Sequence, residues 1–184
     1  MNESEIIKQT RNWVEKVVIG LNFCPFAQRE LINEKVRFTV SDSIGIEAAL
    51  ENLLREIHFM EDNSGTETSL LIYPLAFSEF DDYLDLLDLA NALVEDQGYE
   101  GIFQVASFHP IYQFADSAKD DAANYTNRSP YPMLHLLREE SLELALENYP
   151  DHYTIPERNV KFAREKGLGY MQVLLESCMK NDQN

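Results

Sequence analysis

Cys24, His109, Asp116, Arg128 and Ser129 are the residues of this 184-residue chain whose chemistry is most readily turned to catalysis or binding. Four of them fall within residues 109–132, HPIYQFADSAKDDAANYTNRSPYP, a polar connection that carries one His, three Asp, two Asn, three Tyr and a single Arg. A connection of that length in a compact domain is more often a working site than filler. His109 follows an apolar run and precedes Pro110. Its imidazole titrates near neutrality, which suits a general acid or base, with Asp116 to orient it. The competing role is an imidazole bonded to neighbouring backbone. Arg128 and Ser129, with Asn124 close by, precede a helix expected to start at Pro132 and to bear Leu134, Leu137, Leu144 and Ala145. A guanidinium, a hydroxyl and free helix amides can cradle a carboxylate or phosphate there. Equally, Arg128 can tie the loop internally to Asp116, Asp120 or Asp121.

Cys24 lies in Asn22-Phe23-Cys24-Pro25-Phe26-Ala27. With Pro25 at a first helical position, Cys24 is expected as the N-cap, where free amides and the helix dipole favour a thiolate. That describes a nucleophile with His109 as its base. Packed between two phenylalanines, the same residue is a small apolar filler. His109, Asp116, Asp120, Asp121 and His135 are of types that ligate zinc, iron or manganese, but their spacing matches no ligand motif. There is no HExxH, no CxxC pair and no glycine-rich phosphate loop, so no metal is assigned and the motifs name no cofactor.

The elements that must position these groups can be read from periodicity. Ile6, Trp13, Val14, Val17 and Val18 recur at helical spacing over residues 3–19, with Asn2 and Glu5 placed for a capping box and Gly20 at the end. Residues 35–41 alternate as a half-exposed edge strand does. A second helix, capped by Ser43, carries Ile46, Leu50, Leu53, Leu54 and Ile57, and Asn63-Ser64-Gly65 ends it. Leu70-Leu71-Ile72-Tyr73 reads as a strand covered on both faces. A third helix turns Phe80, Leu84, Leu87 and Val94 inward and Asp81, Asp85, Asp88 and Glu95 outward. Residues 102–108 form a third strand, and the last helix, boxed by Thr154 and Glu157, runs through Gly167 and Gly169 toward Cys178. The order is α-β-α-β-α-β-α-α. Strands separated by helices call for crossovers, so the expected class is α/β: a small three-stranded, mainly parallel sheet with helices packed on it. An α+β sandwich of ferredoxin-like type is the alternative.

Length and a 45% hydrophobic content suit one globular domain over residues 1–184 with a single core. Two distant cysteines, an acidic opening Met1-Asn2-Glu3-Ser4-Glu5 and the lack of an apolar run near the ~20 residues of a membrane span make the expected address cytoplasmic, with no membrane partner. The formal net charge is −17, and between Arg55 and Lys119 there are thirteen acidic residues and no Lys or Arg. Nucleic-acid binding needs Lys and Arg to neutralise phosphates, so a nucleic-acid partner is not expected. The basic run Arg158, Lys161, Arg164 and Lys166 reads as a solvated helix face.

Three strings, VVIGLNFCPFA, ASFHPIYQFAD and NYTNRSPYPMLHLLRE, resemble an uncharacterised bacterial family, domain of unknown function 1415. The resemblance covers nearly the whole chain. It implies one intact domain whose signature includes Cys24, His109, Asp116, Asn124, Arg128 and His135, and it implies no activity. From the residues, the leading expectation is an enzyme acting on a small anionic metabolite. In it His109, Asp116 and Cys24 are catalytic, and Asn124, Arg128, Ser129 and His135 bind substrate. The alternative is a noncatalytic protein-interaction module with an ordered polar loop and an acidic helix face.

Overall fold

The first helix begins where a side chain completes it. In a computed structural model that describes residues 2–180, α1 (Glu3–Trp13) opens on Asn2, whose Oδ1 accepts the Glu5 amide at 2.8 Å. This satisfies one of the amides that a helix start leaves orphaned. After Trp13 the helix widens into a π segment, Val14–Ile19. A Cβ at Gly20 would collide with the Lys16 carbonyl oxygen, so the close of that segment requires glycine.

There follow α2 (Ala27–Ile32), β1 (Val36–Val40), α3 (Ile46–Asp62), β2 (Thr68–Ile72), α4 (Phe80–Asp96) and β3 (Phe103–Phe108). Apart from the short α2, this is the expected order. Pro132 then departs from expectation: it opens a strand, β4 (Met133–Arg138), and α5 (Glu139–Glu147) starts only after it. Met-Leu-His-Leu-Leu-Arg is too short and too evenly apolar for its period to separate helix from strand. It lies at the centre of the sheet, where strands are covered on both faces and read as continuous apolar runs.

The sheet has four strands in the order β1-β2-β4-β3. β1 and β2 are parallel, whereas β4 runs antiparallel to both β2 and β3. The three-stranded, mainly parallel sheet is thus corrected to a mixed four-stranded one, still with helices packed on it. β2 and β3 point the same way and are bridged by β4, with Leu136 paired to Ser69 on one side and Val105 on the other.

Alternation along β4 assigns its side chains to two cores. Leu134 and Leu136 join Leu53, Ile57, Tyr73 and Leu86 under α3 and α4. Met133 joins Trp13, Val17, Leu70, Ile72 and Met171 on the opposite face, and His135 shares that face. The buried stripe of α4 is Tyr83, Leu86, Ala90 and Val94, while Leu84, expected inward, is exposed. Tyr83 displaces the stripe because its hydroxyl finds buried backbone partners, donating to the Met133 carbonyl at 2.7 Å and accepting the Phe108 amide at 3.1 Å. The expected single last helix is two, α6 (Ile155–Lys166) and α7 (Leu168–Met179). Gly167, at φ +82°, turns the chain between them.

Candidate functional site

The loop from His109 is held by its own backbone. His109 is fully buried; its Nε2–H donates to the Phe77 carbonyl at 2.8 Å and its Nδ1 accepts the Ile111 amide at 3.2 Å. Both ring nitrogens therefore have partners, the tautomer is fixed, and burial holds the imidazole below its ordinary pKa. Asn124 gathers the loop: Oδ1 accepts from the Phe114 amide at 3.0 Å and the Ser117 hydroxyl at 2.6 Å, while Nδ2 donates to the Ala118 carbonyl at 2.9 Å. Arg128 donates to the carbonyls of Tyr112 at 3.1 Å and Lys119 at 2.9 Å and lies over the Tyr125 ring. Its donors go to carbonyl oxygens, not to Asp116, Asp120 or Asp121, so the internal ion pair read as an alternative is not formed. Asp121 instead pairs with Arg164 at 2.7 Å, and that guanidinium holds its carboxyl below the usual range. Ser129 donates to the Tyr131 carbonyl at 2.6 Å, and Asp116 is exposed.

Cys24 and His135 lie elsewhere, and together. α2 starts at Ala27 with Phe26 as its N-cap, so Pro25 occupies a turn and Cys24 is not the capping residue. Burial pushes the Cys24 thiol up, against the opposing effect of the Phe26 and Ala27 amides. The thiol form is thereby favoured over the thiolate. The Nε2 of His135 is 2.6 Å from the Thr68 hydroxyl, which donates to the Leu136 carbonyl at 2.7 Å. Because that hydroxyl proton is committed to Leu136, the imidazole must be the donor to Thr68, which leaves Nδ1 an acceptor. Burial takes the His135 pKa down to about 4, so the ring is neutral at physiological pH.

Cys24, Thr68 and His135 line a cavity of about 120 Å³ walled mainly by apolar side chains, among them Trp13, Val18, Leu70, Phe108 and Leu142. It lies between the sheet, the π segment, α2 and α5. Phe26, Arg29, Glu67, Ser141 and Ala145 border both this cavity and a surface groove along α5, which gives it a mouth. Glu30 is also in the wall. Its Oε1 accepts from Arg29 Nε at 2.7 Å, and its Oε2 is the one buried side-chain oxygen or nitrogen without a partner among the described residues. At Glu67 burial acts to raise the pKa, but the Ser141 hydroxyl, Lys35 and Arg138 outweigh it and hold the carboxyl low.

Of the residues singled out from sequence, the structure brings Cys24 and His135 into one cavity. His109, Asp116, Asn124, Arg128 and Ser129 do not border it. Glu30 and Thr68 escaped sequence reading. Thr68 follows from the strand register, in which residue 68 lies beside β4, and no local pattern marks Glu30. Among the described residues no group of three or more His, Cys, Asp or Glu is placed to hold a metal ion, and no helix is long and apolar enough to cross a membrane.

The model of a family described as Protein of unknown function (DUF1415) matches residues 5–173. No curated protein and no solved structure matches the chain.

Proposed function

Because the chain belongs to this family, whose description carries no activity, we propose a function from the cavity itself: the domain binds a small, mainly apolar molecule between the sheet, α2 and α5. The observation that carries this reading is a cavity with an apolar wall, a few convergent polar groups and a mouth onto the surface, the usual form of a small-molecule site. Its volume of about 120 Å³ approaches that of cavities that admit one benzene-sized ring. We place the ligand here and not in the polar loop because two Arg128 donors and both nitrogens of His109 already have backbone partners. Binding is favoured over nucleophilic catalysis, since a thiol raised by burial, in a cavity shared with an imidazole of pKa about 4, does not form a thiolate–imidazolium pair.

Thermal denaturation with ethylbenzene tests the reading. At ten times its Kd the probe should raise Tm by about 3–6 °C, and Ala145→Phe, which fills the mouth, should remove the shift. No rise at the solubility limit, or a rise untouched by Ala145→Phe, would defeat it. A second reading, an interaction module, is favoured by the outer face of α4, where Asp81, Asp85, Asp88 and Glu95 stand exposed beside Leu84 and Leu89. Salt-sensitive capture of a basic protein by this face, lost on replacing those acids with Asn and Gln, is its test.

A further inference from the structure

We infer that the end of the sheet where β1, β2 and β3 finish is a docking surface for a basic, amphipathic segment of a protein partner, which lays its apolar side chains on Ile44, Leu75 and Ile111 and its Lys or Arg against the acids around them. This surface is separate from the cavity, whose mouth at Glu67 lies at the opposite end of β2. It also differs from the outer face of α4, and the closing experiment separates the two.

β1 and β2 are parallel, and β2 and β3 each run antiparallel to β4, so the three strands finish at one end of the sheet. The chain leaves them through residues 41–45, 73–79 and 109–121. Each of these loops holds out one large aliphatic side chain: Ile44 is 83% exposed, Leu75 68% and Ile111 42%. Single exposed apolar residues are ordinary, but three brought to one end by the topology make a patch. The Ser41 amide donates to the Ile72 carbonyl at 2.8 Å, which keeps the first loop beside the second. One imidazole joins the second to the third, because His109 donates from Nε2 to the Phe77 carbonyl and accepts the Ile111 amide at Nδ1. Phe77 adopts φ +60°, uncommon for a bulky side chain, so the turn that carries Leu75 outward is held against a backbone preference. With the order β1-β2-β4-β3 and about 4.8 Å between neighbouring strands, the patch spreads over about 15 Å, which matches about three turns of helix.

The charge around it has one sign. Asp42, Glu47, Glu79, Asp81, Asp82 and Asp116 are exposed, and Lys119 is the only Lys or Arg in the three loops. Asp121 is already paired with Arg164, and Arg128 is buried. A partner that fits must therefore bring apolar side chains and positive charge together. A second copy of this chain would set acid against acid, and an anionic membrane surface would be repelled in the same way.

Fluorescence anisotropy with a labelled peptide of leucine and lysine, all its leucines on one helical face, tests the surface on the full chain. The peptide should bind, more weakly as salt rises, and a control with serine in place of leucine should bind at least about tenfold less tightly. Ile44→Ser, Leu75→Ser and Ile111→Ser together should cost at least about tenfold, and Leu75→Ser alone about threefold with Tm unchanged. Asp42→Asn, Glu79→Gln and Asp82→Asn together should weaken binding about threefold or more and flatten its salt dependence. Asp85→Asn, Asp88→Asn, Glu95→Gln and Leu89→Ser on the outer face of α4 should leave it within about twofold. No binding, equal binding of the serine control, or affinity untouched by Leu75→Ser overturns the inference. A loss in the α4 variant as large as in the loop variants moves the partner to that face and overturns it too. Self-association of the unaltered chain that Leu75→Ser abolishes would give the patch to a second copy, with the same result.

Discussion

The indole Nε1–H of Trp13 donates to the carbonyl oxygen of Arg128 at 3.0 Å, across 115 residues of sequence, and the same indole walls the cavity. The polar loop and the pocket are therefore joined through one buried ring. Trp13→Phe keeps an aromatic ring there but leaves the Arg128 carbonyl unpaired, which should cost about 1–3 kcal/mol in urea denaturation. Amide exchange should quicken across residues 109–128 in the same variant, while a change confined to α1 would show that the loop does not depend on this bond.

Arg128 should behave as a structural residue. Arg128→Met loses two bonds to carbonyls and the contact over Tyr125. A loss of about 2–4 kcal/mol is expected, and Arg128→Lys should recover only part of it because an ammonium cannot reach two diverging carbonyls as a planar fork does. Inorganic phosphate should leave the Tm of the unaltered protein unchanged; a saturable rise would return Arg128 to the role of anion clamp.

His135 sets a pH dependence with a definite sign. Its pKa is about 4 in the folded chain, below the ordinary 6.5, so the unfolded chain binds more protons between those values. Its contribution is complete above pH 6.5, falls as pH drops, and is lost by about pH 4. The limiting size is about 3 kcal/mol. Burial shifts His109 in the same direction, so His135→Phe should flatten the dependence without abolishing it. An unchanged slope between pH 6.5 and 4 in that variant would show that His135 is not the group responsible.

Cys24 should react slowly. With burial raising the thiol above its ordinary value of 9.0, iodoacetamide should modify it little at pH 7 and faster only in more alkaline solution. Peptide mass spectrometry separates it from Cys178, which is also shifted upward by burial. Occupation of the cavity by ethylbenzene should slow the alkylation of Cys24 further; rapid labelling at pH 6 would point to a thiolate and to nucleophilic chemistry.

How much was legible in the chain depended on range. The first helix with its Asn2 cap and the strands β1 to β3 could be read because period and end signals are local. β4 could not: a six-residue apolar run has no readable period, and Pro132 fits a strand start as well as a helix start. With β4 misassigned, His135 was placed on a helix and its neighbours Thr68 and Phe108 could not be foreseen. The loop's polar residues were visible as hydrogen-bonding groups, but their partners are mostly carbonyls and amides, which every residue carries and no side-chain pattern reveals. Gly167 does not stop the last helix in the sequence reading, because apolar spacing continues across it from Ala163 to Met171.

The position of β4 orders events during synthesis. β2 and β3 have no bonds to one another and depend on residues 133–138 to join them, so a nascent chain still short of Met133 carries two unzipped edges. Such edges invite pairing with other chains. A ribosome stalled before that point would hold a sheet in two pieces, which makes truncation products ending within the first 132 residues the aggregation-prone species of this protein.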